Sequence, residues 1–308
     1  MRIAIPASTF ANIDKTPLDF LRSQGFEVVL NTTAKRLDEQ QLIHFLKGID
    51  GAVAGLEPYT ATVLNQLPVL KCISRCGVGL DTIDMAFAKQ RGIAVFNTPE
   101  VVIEPVAEMT LAMILDLSRR ISYQSVLMHQ GQWQRLNGAS LSGQTIGIIG
   151  LGRIGKRVCT LLKAIGAHQV IGYDINPDVN WAKEHEVDLV DVVYLLQHSD
   201  IISLHVNVEH QQTFKLDAKQ LALMKQGASL VNTARGALVD EESLYNALVS
   251  GHLAGAALDV FEKEPYQGKL SELPQVILTP HVATLTAQSR LAMEMSAAEQ
   301  LVKFLRKG

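Results

Sequence analysis

The sequence predicts an α/β protein with two domains, each built around a parallel sheet, and a long helix that joins them. Short runs of Val, Ile and Leu alternate with helix-like segments through most of the 308 residues. Apolar residues occupy consecutive positions in these runs, which is typical of parallel strands covered on both faces. The alternation stops once, from Glu104 to about Gln130, where the pattern predicts one long helix. A chain of this length can bury the cores of two domains.

Predicted strands stand on both sides of the long helix. Those before it are RIAIP, EVVLN, GAVAG, LKCISR and IAVFN. Helices such as LDEQQLIHFLKG and IDMAFAKQRG separate them, and each ends at a glycine, a residue that often closes a helix. The strands after it are TIGIIG, HQVIGYD, VDLVDV, DIISLHV, ASLVNTA, AGAALDV and QVILTPH. Strands that alternate with helices favour parallel sheets.

The long helix is apolar on nearly every face between Val106 and Leu117. A helix with this pattern is expected to be buried on all sides. A domain surface could bury it in a monomer, and a subunit interface could bury it as well. We predict a homodimer, with an inter-domain helix in a monomer as the alternative.

Composition and charge exclude several classes of protein. Apolar residues make up 47% of the chain and charged residues 19%, as in ordinary globular proteins. The formal net charge of −3 gives no reason to expect a nucleic-acid or membrane partner. Cys72 and Cys76 lack a second pair of cysteines, so we expect no metal site and three reduced thiols, as in a cytoplasmic protein. The apolar part of the N-terminus is too short for a signal peptide, and no stretch is suited to span a bilayer.

A G-x-G-x-x-G motif at Gly150, Gly152 and Gly155 follows a predicted strand at 146–149 and opens a predicted helix at 153–165. The motif alone is a weak signal, but this strand–turn–helix context is that of a dinucleotide-binding fingerprint. The first glycine permits the tight turn, the second lets the backbone approach a pyrophosphate, and the third lets the helix pack on the strand. The motif therefore predicts a Rossmann-like domain.

The cofactor predicted by this domain is NAD. The N–H groups at the helix start, near Arg153 and Ile154, should face the pyrophosphate. Asp174 ends the next predicted strand, roughly twenty residues after the motif, and should accept hydrogen bonds from the adenine ribose hydroxyls. A carboxylate at this place repels a 2′-phosphate, and no arginine stands nearby to hold one.

Four polar residues follow later predicted strands, where ligands bind in such sheets. They are Arg235, then Asp259 and Glu264, then His281. An arginine fork can bind a carboxylate in bidentate fashion, and a histidine can exchange a proton near neutral pH. A glutamate beside the histidine would fix its tautomer and favour the imidazolium. Together with NAD, these groups predict oxidation of a 2-hydroxy acid, or reduction of the 2-keto acid.

The motifs GIIGLGRIG, LVNTARGALVDEESL, GAALDVFEKEP and ILTPH are long and, taken together, specific. With them, the sequence resembles the D-isomer-specific 2-hydroxyacid dehydrogenase family over essentially the whole chain. The resemblance implies that Arg235 binds substrate, that His281 is the acid–base and that Glu264 pairs with it. It also implies that Asp259 contacts the nicotinamide carboxamide, and it adds Ala234 to the cofactor-binding residues.

The segment SRCGVGLD looks like the loop that binds the substrate carboxylate in this family. The resemblance implies that the N–H groups of Val78 and Gly79 face the acid, next to Arg75. Gly77 and Gly79 also suit a backbone nest that approaches a ligand closely.

The resemblance also implies how the chain divides. A discontinuous substrate-binding domain is expected at 1–100 and 285–308, and the NAD-binding domain at 101–284. The expected architecture is two Rossmann-like domains with parallel sheets and a cleft between them.

The resemblance favours one branch of the family, but the sequence departs from that branch near the expected substrate site. The segments ISRCGVGLDTID and PVAEMTLAMILDLSRRI favour the phosphoglycerate dehydrogenase-like branch, which we take as the first expectation. Glu57 and Pro58, however, stand where a basic residue for a phosphate is usual in that branch. Val102 replaces a familiar asparagine, and Glu104 adds negative charge.

Two alternatives therefore remain. One is a reductase of glyoxylate, hydroxypyruvate or another unphosphorylated 2-keto acid. The other belongs to a different class, an NAD-sensing corepressor-like binding protein. Retention of Arg235, Glu264 and His281 together favours an enzyme.

Overall fold

A computed structural model describes residues 1–33, 35–206 and 214–307. The chain forms two compact units. The first unit contains Met1–Val102 and the segment from Thr284 onward, and the second unit contains Ile103–Ala283. Both units carry a parallel sheet with helices, so the predicted α/β class with two parallel sheets is confirmed.

The first unit is built on a five-stranded parallel sheet in the order β2-β1-β3-β4-β5. Its strands are β1 Arg2–Ile5, β2 Glu27–Leu30, β3 Gly51–Ala54, β4 Cys72–Arg75 and β5 Ala94–Phe96. Its helices are α1 Thr16–Ser23, α2 Glu39–Phe45, α3 Ala61–Asn65, α4 Met85–Gln90 and the C-terminal helix Ala287–Leu305. β3 is fully buried, because it lies inside the sheet with apolar side chains on both faces.

Local signals explain where these helices begin and end. Asp38, Thr60 and Asp84 cap α2, α3 and α4, since each side chain accepts a backbone N–H of the first turn. Gly48 and Gly92, after α2 and α4, adopt φ values of 74° and 69°. The two glycines predicted to close helices therefore do so in the left-handed region that favours glycine.

The second unit has a seven-stranded parallel sheet in the order β12-β11-β10-β9-β6-β7-β8. Its helices are α5 Ile103–Arg119, α6 Ile121–His129, α7 Arg153–Ala164, α8 Val179–Glu184, α9 Val192–His198, α10 Ala218–Leu223 and α11 Glu241–Val249. Its strands are β6 Thr145–Ile149, β7 Gln169–Tyr173, β8 Asp188–Leu189, β9 Ile201–Leu204, β10 Ala228–Asn232, β11 Leu253–Leu258 and β12 Val276–Leu278. The strand order reverses between β6 and β9, and in open sheets of this kind ligands bind at such a point, outside the carboxyl ends of the strands.

The single long helix predicted from Glu104 to Gln130 is wrong. The segment forms two helices, α5 and α6, because Arg120 between them takes a left-handed conformation with φ 54° and ψ 41°. In the single chain this segment is only partly buried. Residues such as Val106 and Ile114 are buried, whereas Glu108 on α5 is exposed.

Among the helices that the structure describes, none combines the length and the apolar character needed to cross a membrane.

Candidate active site

The three glycines of the G-x-G-x-x-G motif meet three different requirements. Gly150 has φ +97°, and a Cβ there would lie 2.6 Å from the carbonyl carbon of His205. A Cβ at Gly155 would lie 2.0 Å from the carbonyl oxygen of Gly150, so only glycine lets α7 pack this closely on β6. A Cβ at Gly152 would meet no atom within 4 Å, so space is open in front of this residue.

The N-terminus of α7 is suited to hold a pyrophosphate. Its N-cap is Gly152, which supplies no side-chain cap, and Arg153 and Ile154 are its first residues. By contrast, α8, α9, α10 and α11 each begin at an aspartate whose carboxylate caps the helix. The start of α7 thus carries no side-chain cap and has open space at Gly152, as an anion-binding helix terminus requires. The residues present therefore fit NAD.

Asp174 is held beside this glycine loop. It follows β7, and its Oδ2 accepts the N–H of Leu151 at 2.7 Å. Its Oδ1 accepts the N–H of Asn176 at 2.8 Å. The carboxylate is therefore held at the end of β7, beside the glycine loop.

Arg235, Glu264 and His281 follow three neighbouring strands of the second unit. Arg235 comes after β10, Glu264 after β11 and His281 after β12. The parallel register aligns the last residues of these strands, with Leu258 beside both Asn232 and Leu278. The three side chains therefore leave the sheet at one edge.

His281 and Glu264 form a hydrogen-bonded pair. His281 Nδ1 lies 2.9 Å from Glu264 Oε2 and 3.1 Å from Oε1. The backbone N–H of Phe261 also donates to Glu264 Oε1, at 3.2 Å, which orients the carboxylate. The side chains of His281 and Glu264 are 44% and 35% exposed, so the imidazole can be reached by a small molecule. A carboxylate on Nδ1 favours the tautomer with the proton on Nδ1 and leaves Nε2 to exchange a proton.

The loop that carries His281 is held by Asp259, which is fully buried. One oxygen of Asp259 accepts the hydroxyl of Thr279 at 2.5 Å and the N–H of Val282 at 2.8 Å. The other accepts the N–H of Ala283 at 2.9 Å. His281 lies between these anchors and has φ +54°, a conformation that costs a non-glycine residue energy. Asp259 therefore offsets the strain of the turn that presents the imidazole.

The loop that carries Arg235 is shaped by Asn232, a buried residue at the end of β10. Its side chain donates to the carbonyl of Arg235 at 2.8 Å and accepts the N–H of Ala234 at 3.0 Å. Arg235 Nη1 donates to the carbonyl of Ala234 at 2.8 Å. A Cβ at Gly236 would lie 1.9 Å from the carbonyl carbon of Phe261, so the arginine loop packs directly on the segment that leads to Glu264.

In the first unit, the predicted carboxylate-binding loop follows β4. Arg75 is the last residue of that strand, and Gly77, two residues later, has φ +136°. Gly77 N–H donates to the hydroxyl of Thr98 at 2.9 Å, and Asn97 donates to the carbonyl of Val78 at 2.9 Å. Within the described residues, the N–H groups of Val78 and Gly79 donate to no protein acceptor. This leaves both available to an anion, as the resemblance implies.

The negative charge of Glu104, which the sequence suggested would repel an anionic substrate, is paired with an arginine. Both carboxylate oxygens accept from Arg157 on α7, at 2.6 and 2.7 Å. The hydrogen bond from Arg157 lowers the pKa of Glu104. The charge of Glu104 is therefore largely offset by this arginine, whereas Val102 is simply buried.

Sequence reasoning missed several residues that shape these loops. Asn232 and Thr98 hold the two loops, Thr279 anchors the histidine turn, and Gly236 allows the close packing. Asn232 stands at a strand end, directly before the segment Thr233 to Arg235. An asparagine at such a place often forms a turn, because its side chain hydrogen-bonds the backbone two residues later. No comparable signal marks Thr98, whose partner Gly77 lies 21 residues away.

Comparison with known proteins agrees with this geometry. Residues 111–283 match the family model described as D-isomer specific 2-hydroxyacid dehydrogenase, NAD binding domain. The chain is 36% identical to a hydroxypyruvate reductase of Thermotoga maritima, over 90% of this chain and 91% of that protein. It is 39% identical to a D-3-phosphoglycerate dehydrogenase of Methanocaldococcus jannaschii, over 89% of this chain but only 53% of that longer protein.

A solved structure, the TT0316 protein from Thermus thermophilus, superposes with a TM-score of 0.89 at 33% identity. That match covers 100% of this chain and 97% of the other. The predicted family, reaction class and cofactor are thereby confirmed. The chain belongs to the D-isomer-specific 2-hydroxyacid dehydrogenase family and is an NAD-dependent oxidoreductase that acts on a CH–OH group.

Proposed function

We propose that this chain interconverts a D-2-hydroxy acid and its 2-keto acid with His281 as the acid–base. The observation that carries the proposal is the pair of His281 Nδ1 and Glu264 Oε2, 2.9 Å apart at the ends of adjacent strands. Arg235 follows the next strand of the same sheet edge. A base, its orienting carboxylate and a cation are the groups that this reaction needs.

In the oxidation, His281 Nε2 takes the proton of the C2 hydroxyl, and Glu264 stabilises the imidazolium that forms. The glycine loop and Asp174 would hold NAD, which would supply the acceptor for the hydride from C2. In the reverse direction, the imidazolium of His281 gives its proton to the carbonyl oxygen at C2. Arg235 binds the substrate through its guanidinium fork, which holds a carboxylate in a fixed orientation.

We assign two further groups of residues to ligand binding. The N–H groups of Val78 and Gly79, next to Arg75, bind the substrate carboxylate. The cofactor-binding set, taken over from the sequence, consists of Gly150, Gly152, Arg153, Ile154, Gly155, Asp174, Ala234 and Asp259. Within it, Asp259 acts mainly by positioning the histidine turn, since both of its oxygens already accept protein donors.

Two substrate classes are supported. The similarity to a D-3-phosphoglycerate dehydrogenase supports a phosphorylated substrate, the first expectation from sequence. The similarity to a hydroxypyruvate reductase over nearly the full length of both proteins supports an unphosphorylated one. The acid at position 57 favours the second class.

A homodimer remains part of the proposal. Apolar side chains after α5 are exposed in the single chain, including Ile121 at 57%, Met128 at 51% and Trp133 at 77%. A partner subunit that covers them would remove this apolar surface from water. We also propose a cytoplasmic location, because all three cysteines are unpaired thiols. Light scattering on the purified protein tests the dimer.

The proposed chemistry is tested by His281→Ala, measured as NADH oxidation with 2-keto acids. Turnover should fall by about two to four orders of magnitude, the usual contribution of a general acid–base. His168→Ala, which removes an exposed histidine outside the site, is the control and should keep full activity. A wild-type protein that binds NADH but reduces no 2-keto acid would favour the corepressor-like alternative instead.

A further inference from the structure

Glu264 reaches His281 from a short segment that leaves the sheet after β11. Within this segment the N–H of Phe261 donates to Glu264 Oε1 at 3.2 Å. The same oxygen lies 3.1 Å from His281 Nδ1, and the other oxygen lies 2.9 Å from it. The place of the carboxylate therefore depends on the backbone around the peptide that joins Phe261 to Glu262.

That peptide is held at two points by the stretch of chain that follows Arg235. A Cβ at Gly236 would overlap the carbonyl of Phe261 and the N–H of Glu262, so the backbone of Gly236 lies directly against the peptide. Glu241, the first residue of α11, reaches the same peptide with its side chain, because its Oε1 accepts the N–H of Glu262 at 2.8 Å. The arginine loop and the segment that carries Glu264 are thus joined by a backbone contact and by one carboxylate.

Helix α11 does not need Glu241 as its cap. Asp240 has that role, since its carboxylate accepts the N–H of Ser243 at 2.8 Å. Burial raises the pKa of Glu241, the N–H of Glu262 opposes this, the charges of Glu262 and Asp240 raise the pKa further, and the charge of Lys215 lowers it. A carboxyl whose pKa is raised on folding destabilises the folded protein when it is ionised. The negative charge of Glu241 is therefore not what recommends a glutamate at this position.

Lys215 also reaches this segment, but from the surface. Its Nζ lies 2.9 Å from Glu262 Oε1 and 3.8 Å from Asp240 Oδ2. The side chains of Lys215 and Glu262 are 40% and 43% exposed, and exposed ion pairs contribute little. The hydrogen bond from the Glu262 N–H to Glu241 is a firmer anchor, because it fixes the backbone itself.

We propose that Glu241 is a positioning residue for the acid–base pair: it holds the peptide between Phe261 and Glu262 and so fixes Glu264 where it meets His281. The proposal goes beyond the residues assigned above, and it rests on the proposed function, because it takes that pair as the acid–base. Glu241 acts through the reach of an acceptor oxygen and not through its charge. A side chain of the same length with a carbonyl oxygen should therefore replace it.

The test measures kcat and KM for the 2-keto acid that wild type reduces fastest among hydroxypyruvate, glyoxylate and pyruvate, together with the Kd of NADH. Glu241→Ala removes the acceptor and should lower kcat about tenfold, with KM and Kd within about twofold of wild type. Glu241→Gln keeps an acceptor oxygen at the same reach and should restore kcat to within about threefold of wild type. Glu242→Ala, which removes an exposed glutamate from the same turn of α11, is the matched control and should keep kcat within about twofold.

A double-mutant cycle separates positioning from a general loss of stability. Once Glu264→Ala has removed the carboxylate, Glu241 has nothing left to position. Adding Glu241→Ala to that variant should then lower kcat by less than about twofold. A further loss of about tenfold would show that Glu241 acts independently of Glu264 and would overturn the proposal.

Wild-type kcat in Glu241→Ala, or a loss that Glu241→Gln does not restore, would also overturn it, while the proposed function stood. If Glu241→Ala does not fold, Glu241→Asp takes its place, because it keeps the charge at the helix start and shortens the side chain by one methylene. It should lose kcat about tenfold as well, and wild-type kcat in that variant would overturn the proposal. Failure of wild type to reduce any 2-keto acid would remove the proposed function itself.

Discussion

Replacing Asp259 with asparagine should lower kcat far more than it weakens NAD binding. The buried carboxylate accepts the hydroxyl of Thr279 and the N–H groups of Val282 and Ala283, and these residues flank His281. An asparagine keeps the shape of the side chain, but its NH2 group can only donate. At least one of the three donors would therefore face another donor.

The magnitude follows from these contacts. A hydrogen bond to a charged acceptor contributes about 1.5–3 kcal/mol, and a buried donor left without a partner costs about 1–3 kcal/mol. Loss of one such bond, with one donor unsatisfied, should destabilise the histidine turn by about 2–4 kcal/mol. Because His281 has φ +54°, the released turn gains by relaxing away from its reactive position. A shift of about 1.4 kcal/mol toward the relaxed form costs a factor of ten, so a shift of about 2–4 kcal/mol should lower kcat about 30- to 1,000-fold.

The assay measures kcat with saturating NADH and a 2-keto acid, the Kd of NADH by fluorescence, and the thermal unfolding temperature. Asp188→Asn, at an exposed position on β8, is the matched control and should change none of these. A variant whose NADH Kd rises steeply while kcat stays at the wild-type value would refute the positioning role. It would support the direct contact with the nicotinamide carboxamide that the family resemblance implies.

Three other changes have defined outcomes. Glu264→Gln should lower kcat about 10- to 100-fold with little change in the NAD Kd, because the neutral amide stabilises the imidazolium poorly; wild-type turnover would argue against the pair. Asp174→Ala should weaken NAD about tenfold and NADP much less, since only the NAD ribose uses this carboxylate; equal losses in a binding titration would contradict the ribose assignment. Burial raises the pKa of Cys72, Cys76 and Cys159 to about 12, 11 and 12, respectively. At mildly alkaline pH the native protein should therefore show no thiol that reacts quickly with a disulfide reagent, whereas the unfolded protein should show three reactive thiols.

Features set by local sequence were predictable. Consecutive apolar residues predicted the parallel strands, and the spacing of Gly150, Gly152 and Gly155 before Asp174 predicted the NAD-binding turn. These signals work because strand burial, tight turns and helix starts depend on residues close together in the chain. Arg235, Glu264 and His281 were predictable for the same reason, because each follows a predicted strand closely in the chain.

Features set by distant contacts were not predictable. Arg120 breaks the long helix without a glycine or proline, so no local rule marks the break. Arg157 offsets the charge of Glu104 from 53 residues away. Asp259 holds Ala283 from 24 residues away, and a single sequence does not reveal which donors a buried carboxylate meets.

The central claim is that a hydride passes between NAD and C2 of a D-2-hydroxy acid while His281 moves the proton. The most direct test uses NADH with deuterium in the transferred position at C4 and hydroxypyruvate as substrate. The product is analysed by chiral chromatography and mass spectrometry, in wild type and in His281→Ala. We expect the D-hydroxy acid with one deuterium at C2 from wild type, and only traces of it from the variant. A product of L configuration, a product without deuterium at C2, or equal yields from the two proteins would contradict the account.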